Sequence, residues 1–143
     1  MKIKSETELV ELGRKIGREV LTGGEFPVVF ELIGDVGAGK TTLTRGIAEG
    51  LGIREPVTSP SFMISKRYSI PCSGGFQGGE LVHYDFYRLN EPGLMKNELE
   101  ETLGEKNAVI IIEWGESVRG VLPKETKTIK INYLEDGGRE VIL

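Results

Sequence analysis

Residues Gly34-Asp35-Val36-Gly37-Ala38-Gly39-Lys40-Thr41 fit the pattern G-x-x-x-x-G-K-[ST]. Each residue type there has a chemical task. The glycines let the backbone wrap with its N–H groups turned inward on anionic oxygens. A helix that starts at the end of the loop aims its positive dipole end at the same oxygens. Lys40 then reaches the outer phosphates and the Thr41 hydroxyl meets Mg²⁺. The pattern assigns Val36, Gly37, Ala38, Gly39, Lys40 and Thr41 to a bound nucleotide, and Thr42, the next residue, is counted with them.

Such a loop needs an acid, to hold the metal through its water shell or to position the attacking water. Glu113 is the leading candidate, because it ends the all-apolar run Ala108-Val109-Ile110-Ile111-Ile112. That run reads as a strand buried on both faces, and its end delivers the acid to the carboxyl edge of a parallel sheet, where ligands bind. Asp85 is the second candidate. In Leu81-Val82-His83-Tyr84-Asp85-Phe86-Tyr87, alternation puts Leu81, His83, Asp85 and Tyr87 on one face. Val82, Tyr84 and Phe86 take the other face, which reads as core. His83 and Asp85 are close enough to share one site, although a hydrogen-bonded structural role suits His83 better than catalysis. Thr58, Ser59 and Ser61 lie in a proline-bounded loop, where a hydroxyl either senses the terminal phosphate or simply builds a turn. Trp114 reads as a half-buried plug. Arg88, Arg119 and Arg139 default to surface roles.

The elements that must carry these residues are legible from periodicity. Val28-Val29-Phe30-Glu31-Leu32-Ile33 is a strand directly before the loop, and Leu43, Ile47 and Leu51 follow at helical spacing. Upstream, Ser5-Glu6-Thr7-Glu8 resembles a capping box, Leu9, Leu12, Ile16 and Val20 mark a helix face, and Gly23-Gly24 stops it. Residues 62–70 and 80–87 read as a hairpin around a mobile Gly-rich turn, and 94–103 as a helix. Residues 126–134 alternate, with Ile129, Ile131 and Tyr133 on one face, and turn back into 139–143 as a second hairpin. Helices alternate with strands early and hairpins come late. The fold class expected is α/β: a single-domain, three-layer P-loop NTPase with a mixed β-sheet over residues 1–143.

At 143 residues the chain can bury a core without disulfides or metals. A net charge of −4 without charge blocks argues against a broad nucleic-acid surface of its own. One cysteine, Cys72, and one histidine exclude an internal disulfide and argue against structural zinc. No apolar leader or membrane-length run is present, so a cytoplasmic protein is expected.

Together these segments resemble the TsaE family of small P-loop ATPases of bacterial tRNA threonylcarbamoyladenosine synthesis. The resemblance rests on residues 34–42, on Val57-Thr58-Ser59-Pro60-Ser61-Phe62, on His83-Tyr84-Asp85-Phe86-Tyr87-Arg88-Leu89 and on Ile112-Glu113-Trp114. It implies ATP and Mg²⁺, with Thr41 and Glu113 on the metal and Lys40, Asp85 and Glu113 as catalytic residues. It further implies that Thr7, Glu116 and Arg139 lie near the nucleotide. The partners implied are the TsaD–TsaB transferase complex and, through it, tRNA whose adenosine 37 is modified. Ser61 stands where the family usually has threonine. A small-molecule P-loop kinase is the alternative, weakened by the lack of an arginine-rich lid; a GTP switch lacks its Asn-Lys-x-Asp segment.

Overall fold

The computed structural model describes residues 1–23, 25–60, 64–87 and 93–143. In chain order the elements are β1 (Lys2–Ile3), α1 (Glu6–Gly23), β2 (Val28–Ile33), α2 (Lys40–Gly50), β3 (Ser65–Ile70) and β4 (Gly79–Asp85). They continue with α3 (Leu94–Thr102), β5 (Ala108–Glu113), a 3-10 helix (Gly115–Val121), β6 (Lys127–Tyr133) and β7 (Arg139–Ile142). The strands form one mixed sheet in the order β1-β7-β6-β2-β5-β4-β3. Its centre, from β6 through β2 and β5 to β4, is parallel. The two hairpins, β3–β4 and β6–β7, supply the antiparallel margins, and β1 adds to β7.

The run of β5 sits between β2 and β4, inside the parallel centre, because every residue before Glu113 is apolar and both of its faces can be buried. Val109 and Ile111 join Phe30, Leu32, Leu81, Ile129 and Ile131 under α1 and α2. Ala108, Ile110 and Ile112 join Val29, Val82 and Tyr84 under α3 and the 3-10 helix. The result is the three-layer α/β arrangement expected from the sequence.

Several boundaries differ from the sequence reading. The strand expected over 62–70 begins only at Ser65, after Ile64 takes φ 65°; Phe62 lies outside the described residues. The turn expected to be mobile is anchored, since Phe76 is buried and packs 5.2 Å from Phe26. The end of α1 at Gly23 is where the sequence places it, and Gly24 lies outside the described residues. The capping box is half formed: Glu8 N donates to Ser5 Oγ at 3.1 Å, while the Glu8 carboxylate accepts from Lys4 N instead of Ser5 N. No helix among the described residues is long and apolar enough to cross a membrane.

The helix that follows the P-loop is held by glycine. Gly13 and Gly17 of α1 face Gly46 and Gly50 of α2, so the two backbones touch. A Cβ on Gly17 would lie 2.3 Å from the Ile47 carbonyl oxygen. Ion pairs Arg14–Glu49 at 2.7 Å and Arg45–Glu6 at 2.6 Å span the same interface. Gly17→Ala is therefore expected to destabilise the protein by about 1–3 kcal/mol through overpacking, although alanine is the better helix former by about 1 kcal/mol. Equilibrium urea unfolding checks this; a gain in stability would show that the helices can slide apart freely.

Candidate functional site

Three parallel strands end at one edge of the sheet. β2 runs into the P-loop there. Glu113, the last residue of β5, is in register with Leu32 of β2 on one side and with Asp85 of β4 on the other. The two acids thus arrive at the same level on adjacent strands, beside the start of α2. A cleft of about 330 Å³ opens at this edge. The P-loop and α2 line it with Val36, Gly37, Gly39, Lys40, Thr41 and Thr42, and the opposite wall is Ser59, Asp85, Tyr87, Glu113 and Trp114.

The loop is built for anions. Its curve needs left-handed backbone at Gly37 (φ 79°) and Gly39 (φ 115°), which side chains resist. The first hydrogen bond into α2 runs from Leu43 N to Gly39 O. The amides of Lys40, Thr41 and Thr42 precede it, so they remain free to bind a ligand at the positive end of the helix dipole.

Lys40 is buried, at 6% exposure, and not the open loop charge its place in a glycine turn suggests. Its ammonium donates to the Gly34 carbonyl and lies 3.7 Å from the centroid of the Trp114 ring. Burial holds its pKa below the ordinary lysine range, against the opposing pull of Glu113, Asp85, Asp35 and Glu116. Trp114 in turn packs 4.7 Å from Tyr87 and takes a left-handed backbone, φ 56°, where β5 turns into the 3-10 helix. That helix is pinned by Arg119, whose Nε donates to buried Glu31 of β2 at 2.9 Å. Arg119 is therefore a structural cation.

His83 is fully buried, and its Nε2 hydrogen-bonds Glu113 Oε2. The face of β4 that carries it is core as well: Leu81 packs under α1 and α2, and only Asp85 and Tyr87 reach the edge. The sequence reading treated only the other face as core, because a His-x-Asp pair breaks the apolar pattern. The hydrogen bond expected of His83 is present, and it ties the buried imidazole to Glu113. Asp85 Oδ1 accepts from Tyr87 N at 2.9 Å, and Oδ2 accepts from Ser59 Oγ at 3.4 Å. Thr58 instead turns its hydroxyl to Lys66, 3.2 Å away. Ser61, Arg88 and Leu89 lie outside the described residues.

Among the described residues no group of three or more His, Cys, Asp or Glu could hold a metal by itself. The donors at the cleft are the oxygens of Thr41, Glu113, Asp85 and Ser59. Such a set fits a hard cation that keeps several waters and shares phosphate oxygens, as Mg²⁺ does.

Three residues implied by resemblance, Thr7, Glu116 and Arg139, do not line this cleft. Thr7 is exposed in the first turn of α1, and Glu116 is exposed in the 3-10 helix. Ser5, Glu6 and Leu9 near Thr7 instead line a second cleft of about 310 Å³ on the other side of Gly37 and Gly39, together with Gly138 and Arg139. Arg139 meets the P-loop backbone: its Nε donates to Ala38 O at 2.8 Å. Tyr133, which the sequence reading placed only on a strand face, donates to the Gly37 carbonyl. Only the pairing of β6 with β2 could have revealed it.

The family model for the threonylcarbamoyl adenosine biosynthesis protein TsaE matches residues 3–141. The chain belongs to the TsaE family. TsaE of Streptomyces coelicolor is 39% identical over 85% of this chain and 77% of its own length. TsaE of Haemophilus influenzae is 32% identical over 94% of this chain and 82% of its own. The crystal structure of Bacillus subtilis YdiB superposes with a TM-score of 0.71 at 30% identity, covering 99% of this chain and 80% of that one. The match to the TsaE family takes in the P-loop, both acids, Trp114 and the C-terminal hairpin, so the whole edge of the sheet lies inside it.

Proposed function

We propose that the chain is a Mg²⁺-dependent ATPase that serves tRNA threonylcarbamoyladenosine synthesis, acting with the TsaD–TsaB complex on adenosine 37. The observation that carries this reading is the register of Asp85 with Glu113 at the mouth of a P-loop, in a member of the TsaE family. Thr41 and Glu113 would hold the metal, which when bound neutralises phosphate charge. The amides of residues 39–42 hold the phosphate chain. Lys40 leaves the Gly34 carbonyl for the outer phosphate oxygens, where its buried charge acts in low dielectric. Asp85, on the neighbouring strand, accepts from the attacking water. Direct in-line attack by that water gives ADP and phosphate without a covalent intermediate on the protein.

Trp114 reports on this step. A phosphate that enters the cleft competes with the indole for the Lys40 ammonium, so ATP with Mg²⁺ is expected to change the fluorescence of the chain's single tryptophan. Titrations with ATP and ADP, with and without Mg²⁺, check this. A flat response at saturation would detach Trp114 and Lys40 from the ligand. Threonylcarbamoyl transfer reconstituted from TsaD–TsaB, with and without this chain, tests the pathway assignment; equal yields would reject it.

A further inference from the structure

The β6–β7 hairpin reaches over the outside of the P-loop. A loop that turns its amides inward must turn carbonyls outward, because C=O and N–H of one trans peptide point in opposite directions. Those carbonyls then need donors. Here two consecutive ones are satisfied by side chains of the hairpin. Tyr133 Oη donates to the Gly37 carbonyl, and Arg139 Nε donates to Ala38 O at 2.8 Å. The two side chains brace each other, with the guanidinium 4.2 Å from the tyrosine ring centroid. Arg139 Nη1 also donates to Gly137 O at 2.9 Å, which ties the pair to its own turn.

The contact is close at both ends of the loop. A Cβ at Gly37 would sit 2.8 Å from the Tyr133 hydroxyl, and one at Gly34 would sit 2.6 Å from the Ile131 carbonyl oxygen. Two of the P-loop glycines are thus required by β6 as much as by a ligand. The orientation has a direct consequence. Arg139 pulls the 38–39 carbonyl outward, so the Gly39 amide points the opposite way. The 37–38 peptide is held from both sides, by Tyr133 on its carbonyl and by Asp35 O, 3.0 Å from the Ala38 amide. Neither Tyr133 nor Arg139 lines the cleft of Lys40 and Glu113.

We infer that Tyr133 and Arg139 are positioning residues that clasp the P-loop from outside and set its amides for a diphosphate. The inference rests on the nucleotide reading above for its ligand, but the clasp itself is a property of the free chain. It acts on the part of the cradle that ADP and ATP share. It follows that losing it weakens both nucleotides by the same factor.

The test uses Tyr133→Phe, Arg139→Gln and Arg139→Lys in the full chain. Tyr133 is 49% exposed, so removing its hydroxyl leaves the core intact. The dissociation constants for ADP and ATP are each expected to rise by about three- to tenfold in every variant. Arg139→Lys fails to rescue, because the forked geometry and not the charge is used. Hydrogen exchange of the peptide spanning residues 33–43, measured without nucleotide, is expected to accelerate in Tyr133→Phe. Unchanged exchange in all three variants overturns the clasp. So does a loss confined to ATP, or full rescue by lysine, since either would mean direct contact with an outer phosphate. If the wild-type chain bound no nucleotide, the ATPase reading would fall while hydrogen exchange still decided the clasp.

Discussion

Lys40→Ala is expected to lower ATP hydrolysis by roughly 10²–10³ or more, the loss seen when a preorganised donor to developing charge is removed. The effect is large because Lys40 is the one cation among the described residues that line the cleft. Its surroundings are already dehydrated, and burial holds its pKa low. The same burial separates function from stability. A lysine whose folded pKa lies below its unfolded one binds its proton more weakly in the fold, so its charge costs stability at neutral pH. That cost fades as pH rises toward the ordinary lysine range. Lys40→Met, which keeps the stem against Trp114, is accordingly expected to match or exceed the wild-type melting temperature at pH 7, with the difference shrinking in alkali. Steady-state phosphate release and thermal unfolding across pH check both halves. Wild-type turnover in Lys40→Ala would remove the P-loop from the mechanism.

Hydrolysis by the chain alone is expected to be slow, and TsaD–TsaB is expected to raise it by up to roughly 10³–10⁵, the worth of an arginine supplied to a γ-phosphate. The expectation rests on the commitments of two arginines. Arg119 is committed to Glu31, and Arg139 to the Ala38 carbonyl. At the rim of the cleft Val36 is 65% exposed and Tyr87 43%, so apolar surface is available beside the phosphates for a partner to cover. Docking there would exclude water and bring a cation to the site from outside. Single-turnover hydrolysis with and without TsaD–TsaB and tRNA measures the gain. Equal rates, with binding verified by gel filtration, would count against a partner-dependent ATPase and favour the kinase alternative.

The sequence by itself determined the parts whose physics is local. The P-loop was legible because glycine conformation, the lysine and the hydroxyl are fixed by adjacent positions. The run 108–112 announced a central strand because only a strand covered on both faces can be apolar throughout. The first helix, both hairpins and the acid at the end of β5 followed from period and turn residues. What only the tertiary structure decided depends on which elements become neighbours. Burial of Lys40 against Trp114 needs the turn after β5 to fold back over α2. The His83–Glu113 bond needs β4 beside β5, a pairing between residues 30 positions apart. The Glu31–Arg119 pair and the short 3-10 helix it pins gave no periodic signal, since seven residues span barely two turns. The grip of Tyr133 and Arg139 on the P-loop joins residues about 100 positions apart, through the parallel pairing of β6 with β2. Alternation within one strand reports which face a side chain takes; what it meets there is set by the strand order, which local periodicity does not encode.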